Sequence, residues 1–268
     1  MEAGPELHVI EVRGGLLTPA ADLERMIHLY RSRADAFVFL SGGASNMSES
    51  ARGQLLGLFS TFELLSRRGL RFAVGDGGTK AGIMAAAGLA RRASGDAFLL
   101  LGVAPSPQIR PPGEPGKTAI EPHHSHVVAV HNDGWVDARR KEGWDPSQGY
   151  WGSETSAMYE IFGRLAEGRP SVAIVANGGN VTLDEVRQNI EQGREVIVIA
   201  GSGRAADAIA SLLEGGAPVD QEVVRFREKA GEVGVLENRR LFTVLPLEKG
   251  APALADLLFS KLSRPART

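Results

Sequence analysis

The 268-residue chain has no cysteine, no long apolar run and no cluster of basic residues. Without cysteine it cannot form disulfides, cysteine-ligated zinc sites or a thiol nucleophile. No stretch approaches the roughly 18 apolar residues of a membrane-spanning helix, and residues 1–15 lack the basic and apolar regions of a secretory signal. A net charge of −2 without a basic run argues against nucleic acid as a partner. We therefore expect a cytoplasmic protein with neither a membrane nor a nucleic acid as partner.

Apolar, β-branched runs alternate with segments of helical periodicity from end to end of the chain. Strand-like runs span residues 8–12, 36–40, 70–74, 96–103, 125–131, 171–176, 195–200 and 241–245, and helical patterns span residues 20–33, 50–68, 80–92, 154–167, 182–192, 204–213 and 252–262. This alternation predicts right-handed βαβ units in a single α/β domain. The near-continuous apolar character of the runs indicates a mostly parallel sheet with helices on both faces.

Four of these strand-like runs end in a glycine-rich turn that opens a helical pattern. The turns read SGGASN (41–46), GDGGT (75–79), NGGN (177–180) and GSGR (201–204). The unpaired amides at a helix N-terminus attract anions, and glycine lets an anion approach the backbone closely. If the strands are parallel, all four turns lie at one edge of the sheet, where open α/β sheets bind ligands. The pattern therefore predicts a phosphate-binding site at the carboxyl edge.

The residues of these turns are the predicted ligand-binding residues. Glycines supply closely approachable backbone, and the hydroxyls of Thr79, Thr182 and Ser202 at helix N-termini suit phosphate oxygens. A structural alternative for Ser202 is the N-cap of its helix. The predicted set comprises Gly42, Gly43, Asn46, Gly77, Gly78, Thr79, Gly178, Gly179, Asn180, Thr182, Gly201, Ser202, Gly203 and Arg204.

Arg204 is the best single candidate for a phosphate clamp. It lies in the first turn of a predicted helix, where a cation opposes the helix dipole unless an anion is bound beside it. Its guanidinium fork suits bidentate contact with phosphate. The alternative is an ion pair with Asp207, three residues further along the same helix.

Two segments interrupt the alternation of strands and helices. The segment from Pro105 to Pro122 contains six prolines and is predicted to be a loop. The segment from Asn132 to Gly152 is polar and rich in glycine and tryptophan, and long loops of this kind often act as lids. Its aromatic residues either stack on a ligand or anchor the loop on the sheet. We carry residues 132–152 forward as a candidate lid.

Histidines and a glutamate cluster between Glu121 and His126. Glu121, His123, His124 and His126 are of the right types to bind a metal, but they have neither a fixed three-ligand spacing nor an evident second-shell partner. We therefore predict no metal site here and expect His126 to begin a strand and face the pocket or the core.

Several of these segments resemble known families. The segment from Asn177 to Glu185 is similar to the P-G-G-x-G-T-x-x-E motif of the Lonely Guy phosphoribohydrolases, with Asn177 for proline and Val181 for the third glycine. Five segments resemble, in the same order, the N-terminal homology region of TRPM cation channels: SGGASN (41–46), DGGTKAGIM (76–84), EPHHSH (121–126), NGGNVT (177–182) and GSGRAAD (201–207). Both groups belong to the SLOG superfamily. The resemblance spans residues 36–210 and indicates a free-standing prokaryotic member without a channel segment.

The resemblance implies a Rossmann-like three-layer sandwich in which residues 1–268 form one nucleotide-binding domain. It also implies a pocket for a nucleotide or an NAD-derived nucleotide such as ADP-ribose, for use in sensing or processing, and it implies no separate cofactor. A subunit that assembles a larger complex and keeps a vestigial pocket is a further interpretation. The sequence leaves open whether the chain forms a homo-oligomer.

The alternative function is a phosphoribohydrolase that cleaves the N-glycosidic bond of a nucleoside 5'-monophosphate. In the Lonely Guy enzymes the glutamate that matches Glu185 takes part in this cleavage, so Glu185 is the expected catalytic residue under this interpretation. A glutamate in the first turn of a helix is also favoured by the dipole alone. The arginine-lysine pair of those enzymes has no counterpart at the same spacing, and Arg164 is the nearest substitute.

Overall fold

The protein is built around one nine-stranded sheet, seen in a computed structural model that describes residues 5–13, 16–17, 20–43, 49–110, 118–132, 134, 150–215 and 221–264. The strands of this sheet are β1 (Glu6–Arg13), β2 (Leu16–Leu17), β3 (Ala36–Gly42), β4 (Phe72–Asp76), β5 (Leu99–Pro105), β8 (His126–Asn132), β9 (Ser171–Ala176), β10 (Glu195–Ala200) and β11 (Phe242–Pro246). Two short strands, β6 (Ile109–Arg110) and β7 (Thr118–Ala119), pair separately.

The sheet is parallel except at one edge. Its order is β11-β10-β9-β3-β4-β5-β8-β1-β2, and only β2 runs antiparallel to its neighbour. After β3 the chain adds β4, β5 and β8 on one side, and after β9 it adds β10 and β11 on the other. The strand order therefore reverses between β3 and β9, and such a switch point opens a crevice at the carboxyl ends of the strands.

Helices cover both faces of the sheet. They are α1 (Ala21–Arg33), α2 (Glu49–Leu58), α3 (Thr61–Arg67), α4 (Gly82–Ala93), α5 (Thr155–Ala166), α6 (Asn180–Glu191), α7 (Arg204–Glu214), α8 (Gln221–Glu232) and α9 (Gly250–Leu262). One hydrophobic core joins one face of the sheet to α2, α3, α4 and α9. Two cores on the other face contain α1 with α5, and α6 with α7 and α8. The architecture is the predicted three-layer α/β sandwich with a mostly parallel sheet.

Strand β3 shows why the apolar runs have no polar alternation. Val38 and Leu40 point into one core, whereas Phe37 and Phe39 point into the core on the other face. The ring of Phe39 stacks on Phe162 of α5 with 4.2 Å between the ring centroids. A strand that is buried on both faces needs apolar residues at every position.

The eight strands predicted from the sequence are all present, but the short edge strand β2 was not predicted, and three further differences concern other segments. The helix predicted over residues 50–68 is divided into α2 and α3, and the hydroxyl of Ser60 between them donates to the carbonyl of Gly57. The proline-rich segment contains the short strands β6 and β7 and is not wholly a loop. Helix α8 was not predicted, because Phe226 and Ala230 are its only buried residues and more than half of its residues are charged or polar. None of the helices in the described ranges has the length and apolarity that crossing a bilayer requires.

We expect Phe162→Ala to destabilise the fold strongly. Phe162 is fully buried, and it lies under Gly75, where an added Cβ would be only 2.7 Å from the ring. Truncation of a buried phenylalanine leaves a cavity and costs ~3–5 kcal/mol. Urea denaturation should show this loss in the free energy of unfolding, whereas Leu89→Ala on the exposed face of α4 should change it by less than ~0.5 kcal/mol. Equal effects of the two substitutions would contradict this account of the core.

Candidate functional site

The four glycine turns lie at one edge of the sheet. They follow β10, β9, β3 and β4, which are four consecutive neighbours in the parallel part of the sheet. Their helices α7, α6, α2 and α4 therefore all begin at the carboxyl edge, on either side of the switch point. The convergence expected from the sequence is present in the fold.

The turns after β3 and β9 touch each other at the switch point. A Cβ atom added to Gly42 would lie 2.1 Å from the carbonyl oxygen of Ala176, and one added to Gly43 would lie 3.3 Å from the Cα of Gly178. A side chain at position 42 would push the two turns apart. Gly42 therefore has a packing role that does not depend on any ligand.

Ser202 joins the turns after β9 and β10. Its hydroxyl accepts a hydrogen bond from the amide of Asn177 (2.8 Å) and donates one to the carbonyl of Ile199 (2.6 Å). The amide of Ala206, in the first turn of α7, donates to the carbonyl of Asn177 at 3.0 Å. One of the amides in the first turn of α7 is therefore hydrogen-bonded to the neighbouring turn. The N-cap position of α7 is Gly203 and not Ser202.

Arg204 lies across from the turn after β9. A Cβ added to Gly179 would be 3.4 Å from Nη2 of Arg204, so the guanidinium is packed against this turn. Its Nε donates to Glu222 of α8 at 2.9 Å, and its guanidinium carbon lies 5.2 Å from the centroid of the Phe226 ring. Asp207 is not its partner, because the Asp207 carboxylate accepts from the amide of Gly201. Glu222 could not be expected as a partner of Arg204, because α8 was not predicted from the sequence.

The backbone of Arg204 is strained. Its φ of +49° lies in the left-handed region, which residues other than glycine rarely occupy. Such conformations cost on the order of 1–3 kcal/mol and are concentrated at functional sites. The strained residue is the one whose guanidinium packs against Gly179 at the start of α6.

The other predicted residues of the β9 turn lie at the start of α6. The amide of Gly179 donates to Oγ1 of Thr182 at 3.3 Å, and a Cβ on Gly178 would lie 2.4 Å from the same oxygen. Asn180 is the first residue of α6 and is exposed. Thr182 is buried, and its hydroxyl already accepts from the turn.

The turn after β4 packs against β5. A Cβ added to Gly102 would lie 2.4 Å from the Cα of Gly78, so the two backbones are in contact. The amide of Gly78 donates to Oδ1 of Asp76 at 2.7 Å. Thr79 is buried and forms a β-bridge with Ile120, whereas the neighbouring Gly77 is half-buried.

A buried histidine lies between two carboxylates beside this turn. His124 Nε2 lies 2.7 Å from Oδ1 of Asp76, and His124 Nδ1 lies 2.9 Å from Oε2 of Glu121. Burial by itself would lower the pKa of His124, but the charges and hydrogen bonds of the two carboxylates raise it to about 9. His124 is therefore an imidazolium at neutral pH. Gly88 of α4 makes room for the cluster, since a Cβ there would lie 2.0 Å from Glu121.

The Asp76–His124–Glu121 cluster explains most of the histidine-rich segment. Glu121 and His124 were weighed as metal ligands from the sequence, whereas the structure bonds them to each other. Asp76 was named only as part of a motif, because it is 48 residues from His124 in the chain. The other carboxylate oxygen of Asp76, Oδ2, is buried and has no hydrogen-bond partner among the described residues.

Glu185 and Glu154 form a second buried acidic group at this edge. Burial raises the pKa of Glu185 well above its ordinary value, and the negative charge of Glu154 adds to the effect. A hydrogen bond from Ser41, at the end of β3, acts in the opposite direction. Burial also raises the pKa of Glu154 to about 7. The Oε2 atom of Glu185 has no hydrogen-bond partner in the described part of the chain.

A cavity of about 690 Å³ lies at the opposite edge of the sheet. Ser171 and Glu195, the first residues of β9 and β10, line it together with Arg164 and Arg194. Arg164 is also paired with Glu24 of α1. Arg164 thus does not replace the missing arginine-lysine pair beside Glu185.

Two predicted features fall outside the described residues. Asn46 is one of them, and most of the candidate lid over residues 132–152 is the other. Asn132, the first residue of this segment, donates to the carbonyl of Ser153, just after its last residue, at 2.9 Å, and Trp151 is 36% exposed. The lid remains a prediction.

We expect the stability of the protein to fall between about pH 6.5 and pH 9 because of His124. Its pKa is raised from 6.5 to about 9 in the folded state. The resulting stabilisation is complete below pH 6.5 and is lost as the pH rises through 9, and it is on the order of 3 kcal/mol. The pKa of Glu154 is also raised, to about 7, so this residue likewise makes the protein less stable as the pH rises, but only up to about pH 7.

Urea denaturation at several pH values isolates the His124 contribution. His123→Gln is the matched control, because its backbone carbonyl, and not its ring, bonds Arg91. It should keep the wild-type profile, whereas His124→Gln should flatten the profile between pH 6.5 and 9. An NMR titration of the wild-type His124 ring provides a second measurement. A midpoint near 6.5 would refute the buried imidazolium.

Comparison with known proteins agrees with the resemblance seen in the sequence. No curated protein matches the chain. The profile of a family described as SLOG in TRPM, prokaryote, matches residues 35–254, a range that contains all four glycine turns and β3 to β11. Membership of this family suggests a nucleotide-related ligand. Because the match covers most of the chain, the protein belongs to the prokaryotic SLOG family related to TRPM channels.

Proposed function

We propose that the protein binds a nucleotide or an NAD-derived nucleotide such as ADP-ribose at the carboxyl edge of its sheet. The observation that carries this proposal is the convergence of four glycine turns on neighbouring parallel strands, with the guanidinium of Arg204 packed against Gly179. Helix N-termini and a guanidinium fork both favour phosphate oxygens.

The phosphate would lie between Arg204 and the start of α6. One side of the guanidinium is held by Glu222, which orients it, while Nη1 and Nη2 lie against Gly179. The first-turn amides of α6 point out of the helix beside this position. A dianionic phosphate would add more favourable charge to Arg204 than Glu222 alone.

The buried acids suit the uncharged part of such a ligand. Burial raises the pKa of Glu185, which favours the uncharged acid and so lessens its repulsion of a phosphate bound at the same edge. As a carboxylic acid it can donate a hydrogen bond to a ribose hydroxyl or accept one. Its Oε2 lacks a partner among the described residues, as does Oδ2 of Asp76.

Glu185 also carries the second candidate function, N-glycosidic hydrolysis of a nucleoside 5'-monophosphate. A carboxyl group with a raised pKa can donate a proton to a leaving base. The arginine-lysine pair of the Lonely Guy enzymes has no counterpart at the same spacing in the sequence, and its nearest substitute, Arg164, lies at the other edge, which favours binding over hydrolysis.

We expect Arg204→Gln to weaken binding of ADP-ribose and AMP. The substitution removes the positive charge but keeps a side chain of similar length. Loss of one charge-assisted contact costs ~1.5–3 kcal/mol, or about ten- to a hundredfold in affinity. Isothermal titration calorimetry measures the change, and Arg187→Gln on the exposed side of α6 should bind as the wild type does. Equal affinities of the two variants would refute the phosphate clamp.

Glu185→Gln separates the two candidate functions. Glutamine keeps the shape of glutamate and carries no charge, so a protein that only binds should retain its affinity and should release no free base from AMP with or without the substitution. Chromatography of the reaction products detects the base. If the wild type releases base at a steady rate and Glu185→Gln abolishes release while retaining affinity, the hydrolase replaces the binder. If none of AMP, ADP-ribose and NAD binds, both candidate functions are wrong and the pocket is vestigial.

A further inference from the structure

Three side chains with metal-binding chemistry meet at the amino-terminal edge of the sheet, away from the glycine turns. Glu6 and His8 lie two residues apart on β1 and therefore point to the same face. The parallel pairing of β1 with β8 places His126 opposite Glu6. One carboxylate and two imidazoles thus share one face of the sheet, next to α1.

The separations between these groups suit a shared ion better than direct hydrogen bonds. His8 Nε2 lies 3.5 Å from Oε1 of Glu6, and His126 Nε2 lies 3.7 Å from Oε2 of Glu6. The three ligand atoms all lie within 4.8 Å of one another. Charge-assisted hydrogen bonds are shorter, about 2.7–2.9 Å. Two ligands bound at 2.0–2.1 Å to one tetrahedral ion are about 3.4 Å apart.

One imidazole has a polar atom without a partner. His8 Nε2 is buried and makes no hydrogen bond to any described residue. Only 12% of the His8 side chain is exposed. Burial of a polar atom without a partner costs free energy. A metal ion would supply the missing partner of His8 Nε2. The Glu6 carboxylate is largely exposed, so the ion would enter from its side of the cluster.

The other imidazole has its second-shell partner in place. His126 Nδ1 lies 3.2 Å from the hydroxyl of Tyr30, a fully buried residue of α1. Tyr30 is in turn hydrogen-bonded to Ser125. If Nδ1 donates its proton to the tyrosine oxygen, Nε2 is left with a lone pair directed at Glu6. Metal-binding histidines are oriented by a bond of this kind from their other nitrogen.

We propose that Glu6, His8 and His126 bind one divalent first-row transition ion, with Zn²⁺ as the preferred ion. Two imidazoles and one carboxylate form a known type of zinc site that leaves a fourth position for water. This proposal is independent of the proposed nucleotide site. From the sequence we expected no metal site and grouped His126 with Glu121 and His124, but in the structure His124 is bonded to Glu121 and Asp76.

The test is metal binding by the full-length protein after removal of metals with a chelator. Calorimetric titration with Zn²⁺ should show one ion per chain, and Co²⁺ should give the intense visible absorption of a four-coordinate site. Mg²⁺ should not bind, because it prefers six oxygen ligands. Loss of an outer-shell partner alone costs about ten- to a hundredfold in affinity, so Tyr30→Phe should weaken Zn²⁺ binding by that factor.

Ligand substitutions make the assignment specific. Glu6→Gln and His8→Gln should each weaken Zn²⁺ binding by at least about tenfold and abolish the four-coordinate Co²⁺ spectrum. His28→Gln, on the exposed side of α1, is the matched histidine control and should bind as the wild type does. Glu6 is exposed, so Glu6→Gln should fold normally, which circular dichroism can verify. Absence of Zn²⁺ binding by the wild type, or equal binding by Glu6→Gln, His8→Gln and His28→Gln, would overturn the proposal.

Discussion

Close contact between backbone turns at the carboxyl edge is the constraint on which the candidate nucleotide site depends. Gly42 touches the carbonyl of Ala176 across the switch point, and Gly78 touches Gly102 one strand further along. Neither contact leaves space for a Cβ atom. Because the turns pack on one another without side chains, four helix N-termini come together along neighbouring strands. These glycines are therefore needed for the packing of the edge itself, whether or not a ligand binds there.

Buried carboxyl groups at this edge are made compatible with an anionic ligand in two different ways. Asp76 and Glu121 are neutralised in part by the imidazolium of His124 between them. For Glu154 and Glu185, burial raises the pKa values instead. Repulsion between closely spaced buried acids favours protonation. The edge is therefore less negative at neutral pH than its four acidic residues suggest, which suits the phosphate-bearing ligand that we propose.

A chain of buried polar side chains joins the two edges of the sheet. The hydroxyl of Ser41 lies 2.9 Å from that of Tyr159, and Asn189 donates to the same tyrosine oxygen at 2.8 Å. Arg194, which lines the cavity at the amino-terminal edge, donates to Asn189 at 2.7 Å. Its guanidinium also lies 4.4 Å from the centroid of the Phe39 ring. Buried polar groups of this kind are stable only when each has a partner. These hydrogen bonds therefore hold α5 and α6 against β3 in a single arrangement.

The sequence by itself determined the eight longer strands, the glycine turns and the family. Each of these leaves a local pattern: a strand buried on both faces is apolar at every position, and a tight turn before a helix needs glycine. The tertiary structure alone decided which partners the charged residues have. Arg204 is paired with Glu222 on a helix too polar to be predicted, His124 with the distant Asp76, and Glu6 with His126 through the register of β1 on β8. Contacts between residues far apart in the chain depend on strand order and register, and neither leaves a mark in a local stretch of sequence.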